Sequence, residues 1–233
     1  MVLPYILAIC LCGVFCLIPV AMYLLWLAQV TRRERPTPVS GPWDFAGLML
    51  GLSGFIVFGG GLLLTLVQSN FRYWMRGNVE ALRAVWVQER VTWTLLVVFY
   101  LICVLGGIGL ALLARRRTLV VYHVEPVAFE TALAEVFEQL GRPVERSGKL
   151  WSGEVPLCEV DTFEAGCTAT LRWVSNDQRL FEDVVRLLRA ALAAHPAGDN
   201  PASRWLMSGA IGTGAVVLCS FGLLVYGLSL FGR

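Results

Sequence analysis

Four stretches of this chain contain no Asp, Glu, Lys or Arg: residues 1–31, 45–71, 91–114 and 205–232. They are 31, 27, 24 and 28 residues long. A helix rises 1.5 Å per residue, so about 20 apolar residues cross a bilayer. Each run is long enough to cross once with some tilt and too short to cross twice. Composition agrees: 57% of the 233 residues are hydrophobic and only 15% charged, against about a quarter charged in soluble domains. The near balance of 19 basic and 17 acidic residues excludes a strongly basic nucleic-acid-binding surface.

The sequence therefore predicts an α-helical membrane protein with four transmembrane helices over 1–30, 44–70, 91–114 and 204–231. An interfacial segment covers 71–90, and a soluble α+β domain is inserted over 118–196. The first run is a retained span, because nothing basic precedes Leu3 and the apolar run outlasts a signal peptide's core. Pro19 removes a helical hydrogen bond inside it and predicts a kink.

Arginine sets the orientation. Arg32, Arg33 and Arg35 follow the first span, and Arg115, Arg116 and Arg117 follow the third. Loops separated by two spans share a side, so both clusters place the same side in the cytoplasm, at lipid head-group depth. Both termini then lie outside, and the soluble domain is cytoplasmic in an inner-membrane, multi-pass protein. Segment 71–90 dissents, with Arg72, Arg76, Arg83 and Arg90 against Glu80 and Glu89. Its aromatic residues Phe71, Tyr73, Trp74 and Trp86, with Trp93, fit two readings. One is a short amphipathic helix in the interface, the other an aromatic belt at two span ends.

Residues 118–196 carry 12 acids against seven bases. Leu119–Val124 reads as a strand. Phe129, Leu133, Val136, Phe137 and Leu140 form a helical stripe that ends at Gly141 and Pro143. Ser147-Gly148-Lys149 turns a hairpin between 144–146 and 150–152, and a strand follows over 155–163. Cys167, Ala169, Leu171 and Trp173 alternate inward along the last strand. Ser175-Asn176-Asp177-Gln178 reads as a capping box. It opens a helix with Leu180, Phe181, Val184, Leu187, Leu188 and Leu192 on one stripe. The order β-α-β-β-β-α predicts a ferredoxin-like sandwich with two helices on one face of an antiparallel sheet.

Catalytic signals are sparse. Cys10, Cys12, Cys16, Cys103 and Cys219 sit in spans and read as small apolar residues. Across the 164–166 turn Cys167 falls opposite Thr162 or Phe163, which excludes a disulfide to Cys158. His123 beside Glu125 has the form of a base with its orienting acid, and His195 sits at a helix C-terminus. No phosphate loop, nucleophile elbow or metal-ligand spacing occurs, so no catalytic, cofactor or metal residue is assigned and no cofactor is expected. The spans offer no ionisable side chain for a proton or ion relay. They do carry small residues at helical spacing: Gly47 and Gly51, Gly107 and Ala111, Ser208 and Gly212. Such faces serve close helix packing. The expected partners are the lipid bilayer and other membrane subunits or a second copy, with no nucleic acid. The expected function is a non-enzymatic scaffold or a sensory, regulatory subunit of a membrane assembly. An oligomeric channel or transport component is the alternative, and an enzyme using His123 or Cys167 stands third.

Overall fold

The computed structural model describes residues 3–67, 80, 84, 87–194 and 200–231. It contains four long apolar helices: α1 (Leu3–Val30), α2 (Gly41–Val67), α3 (Arg90–Ala114) and α6 (Pro201–Phe231). Their mean hydropathy is 2.5, 2.0, 2.7 and 1.9 over the stretches long enough to cross a membrane. α1 continues through Pro19 as one helix. The expected interfacial segment 71–90 lies outside the described residues except at 80, 84 and 87–90.

The chain divides into two compact units. The first comprises Met1–Tyr23, Leu48–Ala111 and Gly209–Arg233, which is most of every long helix. Within it α2 approaches α1 at two glycines. A Cβ on Gly51 would lie 2.8 Å from Tyr23 Cβ, and one on Gly54 would lie 2.4 Å from Phe15 O and 2.5 Å from Cys16 Cα. Phe15 and Phe58 meet with ring centroids 6.0 Å apart. Tyr100 of α3 lies against Gly60, and its hydroxyl donates to Ile56 O at 2.6 Å. That bond satisfies a phenol that would otherwise sit among apolar side chains.

The second unit comprises Leu24–Gly47 and Leu112–Ser208. Here lie β1 (Thr37–Ser40), β2 (Thr118–Tyr122), α4 (Pro126–Gln139), β3 (Glu145–Ser147), β4 (Leu150–Ser152), β5 (Pro156–Phe163), β6 (Thr168–Trp173) and α5 (Gln178–Ala194). The six strands form one sheet in the order β1-β2-β6-β5-β4-β3, antiparallel throughout.

Two differences from the sequence expectation follow. Between β2 and α5 the order is β-α-β-β-β-β-α: the five strands expected by residue all form, one more than a β-α-β-β-β-α order holds. β3 to β6 form a continuous meander, whereas a ferredoxin-like sandwich places its second helix before its last strand. The sixth strand, β1, comes from the linker after α1. Thr37 pairs with Tyr122 and Ser40 with Leu119. The 118–196 domain is thus completed by a segment whose residues lie 79 to 85 positions upstream of their β2 partners.

Alternation along the strands sorts the two faces. Leu119, Val121, Ala169, Leu171, Trp173, Cys158 and Val160 are buried with Phe129, Leu133, Val136, Phe137, Phe181, Val184, Leu188 and Leu192 of the two helices. Both helices therefore cover one face. Phe137 stacks on Trp151 with centroids 6.3 Å apart, and Trp173 tilts against Phe181 at 5.6 Å. The opposite face carries Thr118, Val120 and Tyr122 of β2 and Thr168, Thr170 and Arg172 of β6.

Local stops behave as their residues require. Gly141 adopts φ +66°. Its N–H donates to Glu138 O while the N–H of Arg142 donates to Phe137 O, which closes α4 with a left-handed glycine. Gly148 at φ +63° sits in the two-residue turn between Ser147 and Leu150, which pair directly. At α5 the cap is Asp177 rather than Ser175: the Leu180 N–H donates to Asp177 Oδ1 at 3.0 Å. Ser175 Oγ instead accepts from the Asp177 N–H at 3.2 Å.

Candidate functional site

One end of the sheet gathers polar residues and helix ends from four parts of the sequence. Tyr122 closes β2 on the face away from α4 and α5. Its hydroxyl donates to the Asp44 carboxylate in the first turn of α2. Trp26 near the end of α1 meets the Tyr122 ring edge-on at 6.3 Å. Asp44 also suits its position, since a carboxylate in a first turn faces the positive end of the helix dipole.

The next residue, His123, has φ 61°, and across the strand pair Cys167 has φ 47°. Both are non-glycine residues in the left-handed region, which costs backbone energy and is held by its surroundings. The strands end at the pair Tyr122–Thr168, and the Val124 N–H donates to Cys167 O at 2.9 Å. His123 and Cys167 thus share one end of β2–β6. Cys167 is not the first inward residue of β6, as the alternation suggests, but the end of the Glu164–Gly166 turn. Its Sγ lies 3.7 Å from Glu164 O.

Asn200 joins α6 to the same end. It is 2% exposed. Its Oδ1 accepts from the Ala202 N–H at 3.0 Å, capping α6, and its Nδ2 donates to Gly166 O at 3.4 Å. Ser203 Oγ donates to Asn200 O at 2.8 Å. At the other end of the β1–β2 pair, Gly41 permits close approach. A Cβ there would lie 2.7 Å from Thr118 Cβ and 2.8 Å from Arg115 O.

The arginines divide. Arg32, Arg33 and Arg35 are exposed, as are Arg115 and Arg116. Arg115 lies 4.7 Å over the Phe45 ring. Arg117 turns onto the protein, with Nη1 donating to Ser175 O and Asn176 Oδ1, each at 3.3 Å. Residues Arg33 to Pro38 line an open groove of about 550 Å³.

The small residues divide as well. Gly51 meets Tyr23, whereas Gly107 and Gly212 have open space at the Cβ position. Gly47, Ala111 and Ser208 lie in α2, α3 and α6. Gly54 and Gly60 make closer approaches than Gly51.

Chemically the sheet end offers little to a substrate. His123 is buried, while Glu125 is exposed at the cap of α4, so the expected base and orienting acid differ in environment. Burial pushes the Cys158 thiol up to about 12, which keeps it a protonated core side chain. Cys158 pairs with Trp173 and Phe163 with Thr168, so the offset that excludes a Cys158–Cys167 disulfide is present, and both thiols are free. Cys12 and Cys16 Sγ lie 3.7 Å apart within α1. Among the described residues no group of three or more His, Cys, Asp or Glu is placed to hold a metal. His195 lies outside the described residues.

No protein-family model matches the chain, and no curated protein or solved structure is similar to it.

Tyr122, Asp44, Trp26 and Asn200 are the residues that sequence reasoning missed. Asp44 and Tyr122 are 78 positions apart and Asn200 and Gly166 are 34 apart, beyond any helical or strand periodicity. The available signal was an acid in a helix's first turn and an Asn-Pro at the start of a long apolar helix.

Proposed function

We propose that the chain is a multi-pass inner-membrane protein that acts as a non-enzymatic scaffold or regulatory subunit of a membrane assembly. The four apolar helices are its spans, and the α+β unit is its cytoplasmic working surface. One observation carries the reading: a single sheet is fastened to the ends of the helices. β1, after α1, pairs with β2, after α3. Tyr122 ties β2 to α2, and Asn200 ties the β5–β6 turn to α6. A unit so connected passes a load on its surface to several spans at once, which suits assembly or regulation. The arginines at the same helix ends support a cytoplasmic placement.

Purification of the full chain in mild detergent, with cross-linking in the membrane, tests the proposal. Recovery of a stoichiometric membrane partner, or of a defined homo-oligomer, is the expected result. Activity of that assembly should survive His123→Ala and Cys167→Ala wherever the protein still folds. Complete loss from either change in folded protein would favour the enzyme instead.

A second reading, an oligomeric channel or transport component, rests on the open positions at Gly106, Gly107, Gly212 and Gly214. Such faces let helices from separate copies approach closely. Ion conductance by purified protein in planar bilayers would favour it over the scaffold.

A further inference from the structure

We infer that the groove lined by Arg33, Glu34, Arg35, Pro36, Thr37 and Pro38 is a binding site for the phosphate-bearing head group of an anionic phospholipid. The inference rests on the membrane reading above and places one lipid site within it.

Its walls come from the turn between an apolar helix and an edge strand. α1 ends at Val30. Thr31 Oγ1 then donates to Leu27 O at 2.9 Å and Ala28 O at 3.2 Å, and the Arg32 N–H donates to Gln29 O at 3.3 Å, so three of the helix's last four carbonyls already have donors. The arginines that follow are therefore not required to cap the helix by hydrogen bonding. Thr37 Oγ1 donates to Arg35 O at 3.4 Å, and Thr37 enters β1 opposite Tyr122. The turn is thus held at both ends, with Pro36 buried and Arg32, Arg33 and Arg35 exposed.

The charge is unbalanced. Between Val30 and Asp44 the chain has three arginines against one acid, Glu34, and Asp44 accepts the Tyr122 hydroxyl. Guanidinium groups present forked donors that match phosphate oxygens, often two at a time. The groove of about 550 Å³ is open rather than enclosed, as a site for a head group that stays in its bilayer must be. It sits where a spanning helix leaves the bilayer, the depth at which lipid phosphates lie. Nearby, Trp43 is 76% exposed, and an exposed indole at a span end suits the interface.

The second arginine cluster is separate. Arg115 to Arg117 precede Thr118, beside Ser40 and Gly41, whereas Arg35 precedes Thr37 at the opposite end of the β1–β2 pair. Four residues of strand put about 13 Å between the two ends. Arg117 is also engaged by Ser175 and Asn176. Arg33 and Arg35 can therefore be changed without touching the other cluster.

The test uses the full chain in nanodiscs of phosphatidylcholine containing a fluorescent phosphatidylglycerol at increasing fraction, with association read by energy transfer from the protein's tryptophans. Each basic residue near an anionic surface contributes about fivefold in affinity. Arg33→Gln/Arg35→Gln should therefore weaken the preference for phosphatidylglycerol about 25-fold, and Arg33→Lys/Arg35→Lys should restore part of it. Lys149→Gln/Arg186→Gln removes the same charge from exposed ion pairs elsewhere and should leave the preference within about twofold.

Equal losses from the two double variants, or none from the first, would overturn the site. So would a loss of folded protein in pure phosphatidylcholine from the glutamine pair but not the lysine pair, which would show a structural role only. Inorganic phosphate competing as well as the lipid would overturn the lipid assignment in favour of a soluble anion. A wild-type chain that enters nanodiscs yet shows no lipid preference refutes this site alone. One that does not enter a bilayer refutes the membrane reading as well.

Discussion

Gly54→Ala gives the sharpest test of how α1 and α2 pack. The added methyl would lie 2.4 Å from Phe15 O and 2.5 Å from Cys16 Cα. Comfortable carbon contacts lie near 3.5–4.0 Å, so the helices must separate locally by about 1 Å. Both obstructing atoms belong to backbone, so no side-chain rotation relieves them. Overpacking of this kind costs about 1–3 kcal/mol. Against it stands a gain of at most about 1 kcal/mol from replacing glycine inside a helix. The net expectation is a loss of up to about 2 kcal/mol. Gly107→Ala and Gly212→Ala meet nothing within 4 Å, so only the propensity gain applies and they should be neutral or stabilising. Reversible unfolding in mixed micelles, titrated with dodecyl sulfate and followed by far-ultraviolet circular dichroism, measures all three. The opposite signs are the point of the comparison. Gly54→Ala matching Gly107→Ala in stability would refute the packing argument. If Gly212→Leu abolished co-purification of a second subunit while leaving monomer stability intact, the α6 face would be intermolecular.

Leu133 is fully buried between α4 and the sheet, so Leu133→Ala should cost about 2–5 kcal/mol in the same titration. A cost near zero would show that its stripe does not face the core. Tyr122→Phe removes the donor to a carboxylate and should cost about 1.5–3 kcal/mol, and Asp44→Asn should recover part of it within a Tyr122→Phe background by removing the unpaired charge. At pH 8 the Cys158 thiol should resist an alkylating reagent until the protein unfolds, while half-buried Cys167 reacts first. Because burial raises Cys158 from 9.0 to about 12, its neutral form adds stability that is complete below pH 9 and lost as pH rises from 9 to 12. A stability profile flat across that window would refute the shift.

The four long apolar helices were legible because 24 or more residues without charge leave few alternatives. The helices of the α+β unit were legible for a related reason: a strong stripe such as Phe129–Leu133–Val136–Phe137 fits one period only. β1 was not. Thr-Pro-Val-Ser between arginines and a glycine resembles a linker, and its proline fits a strand only because β1 is at the sheet's edge, where a missing N–H breaks no second ladder. Cys167 misled because alternation continues through it on paper, while its backbone has already turned left-handed. Small-residue spacing marked Gly51 and Gly212 alike. Spacing describes a face of one helix, and which neighbour meets that face depends on packing between distant segments. The sheet-end contacts were hidden for the same reason, since Asp44, Tyr122, Gly166 and Asn200 meet only once the sheet has formed.

The side of the membrane at which each loop emerges tests the four-span proposal most directly. In a cysteine-free background, single cysteines at Arg35, Ser147 and Gln88 can be labelled with an impermeant maleimide in right-side-out and inverted vesicles. Arg35→Cys and Ser147→Cys belong to the unit formed around β1–β2 and should label together, only in inverted vesicles. Gln88→Cys, between α2 and α3, should label only in right-side-out vesicles. Labelling of Arg35→Cys and Ser147→Cys from opposite sides, or of Gln88→Cys from the same side as both, would contradict it.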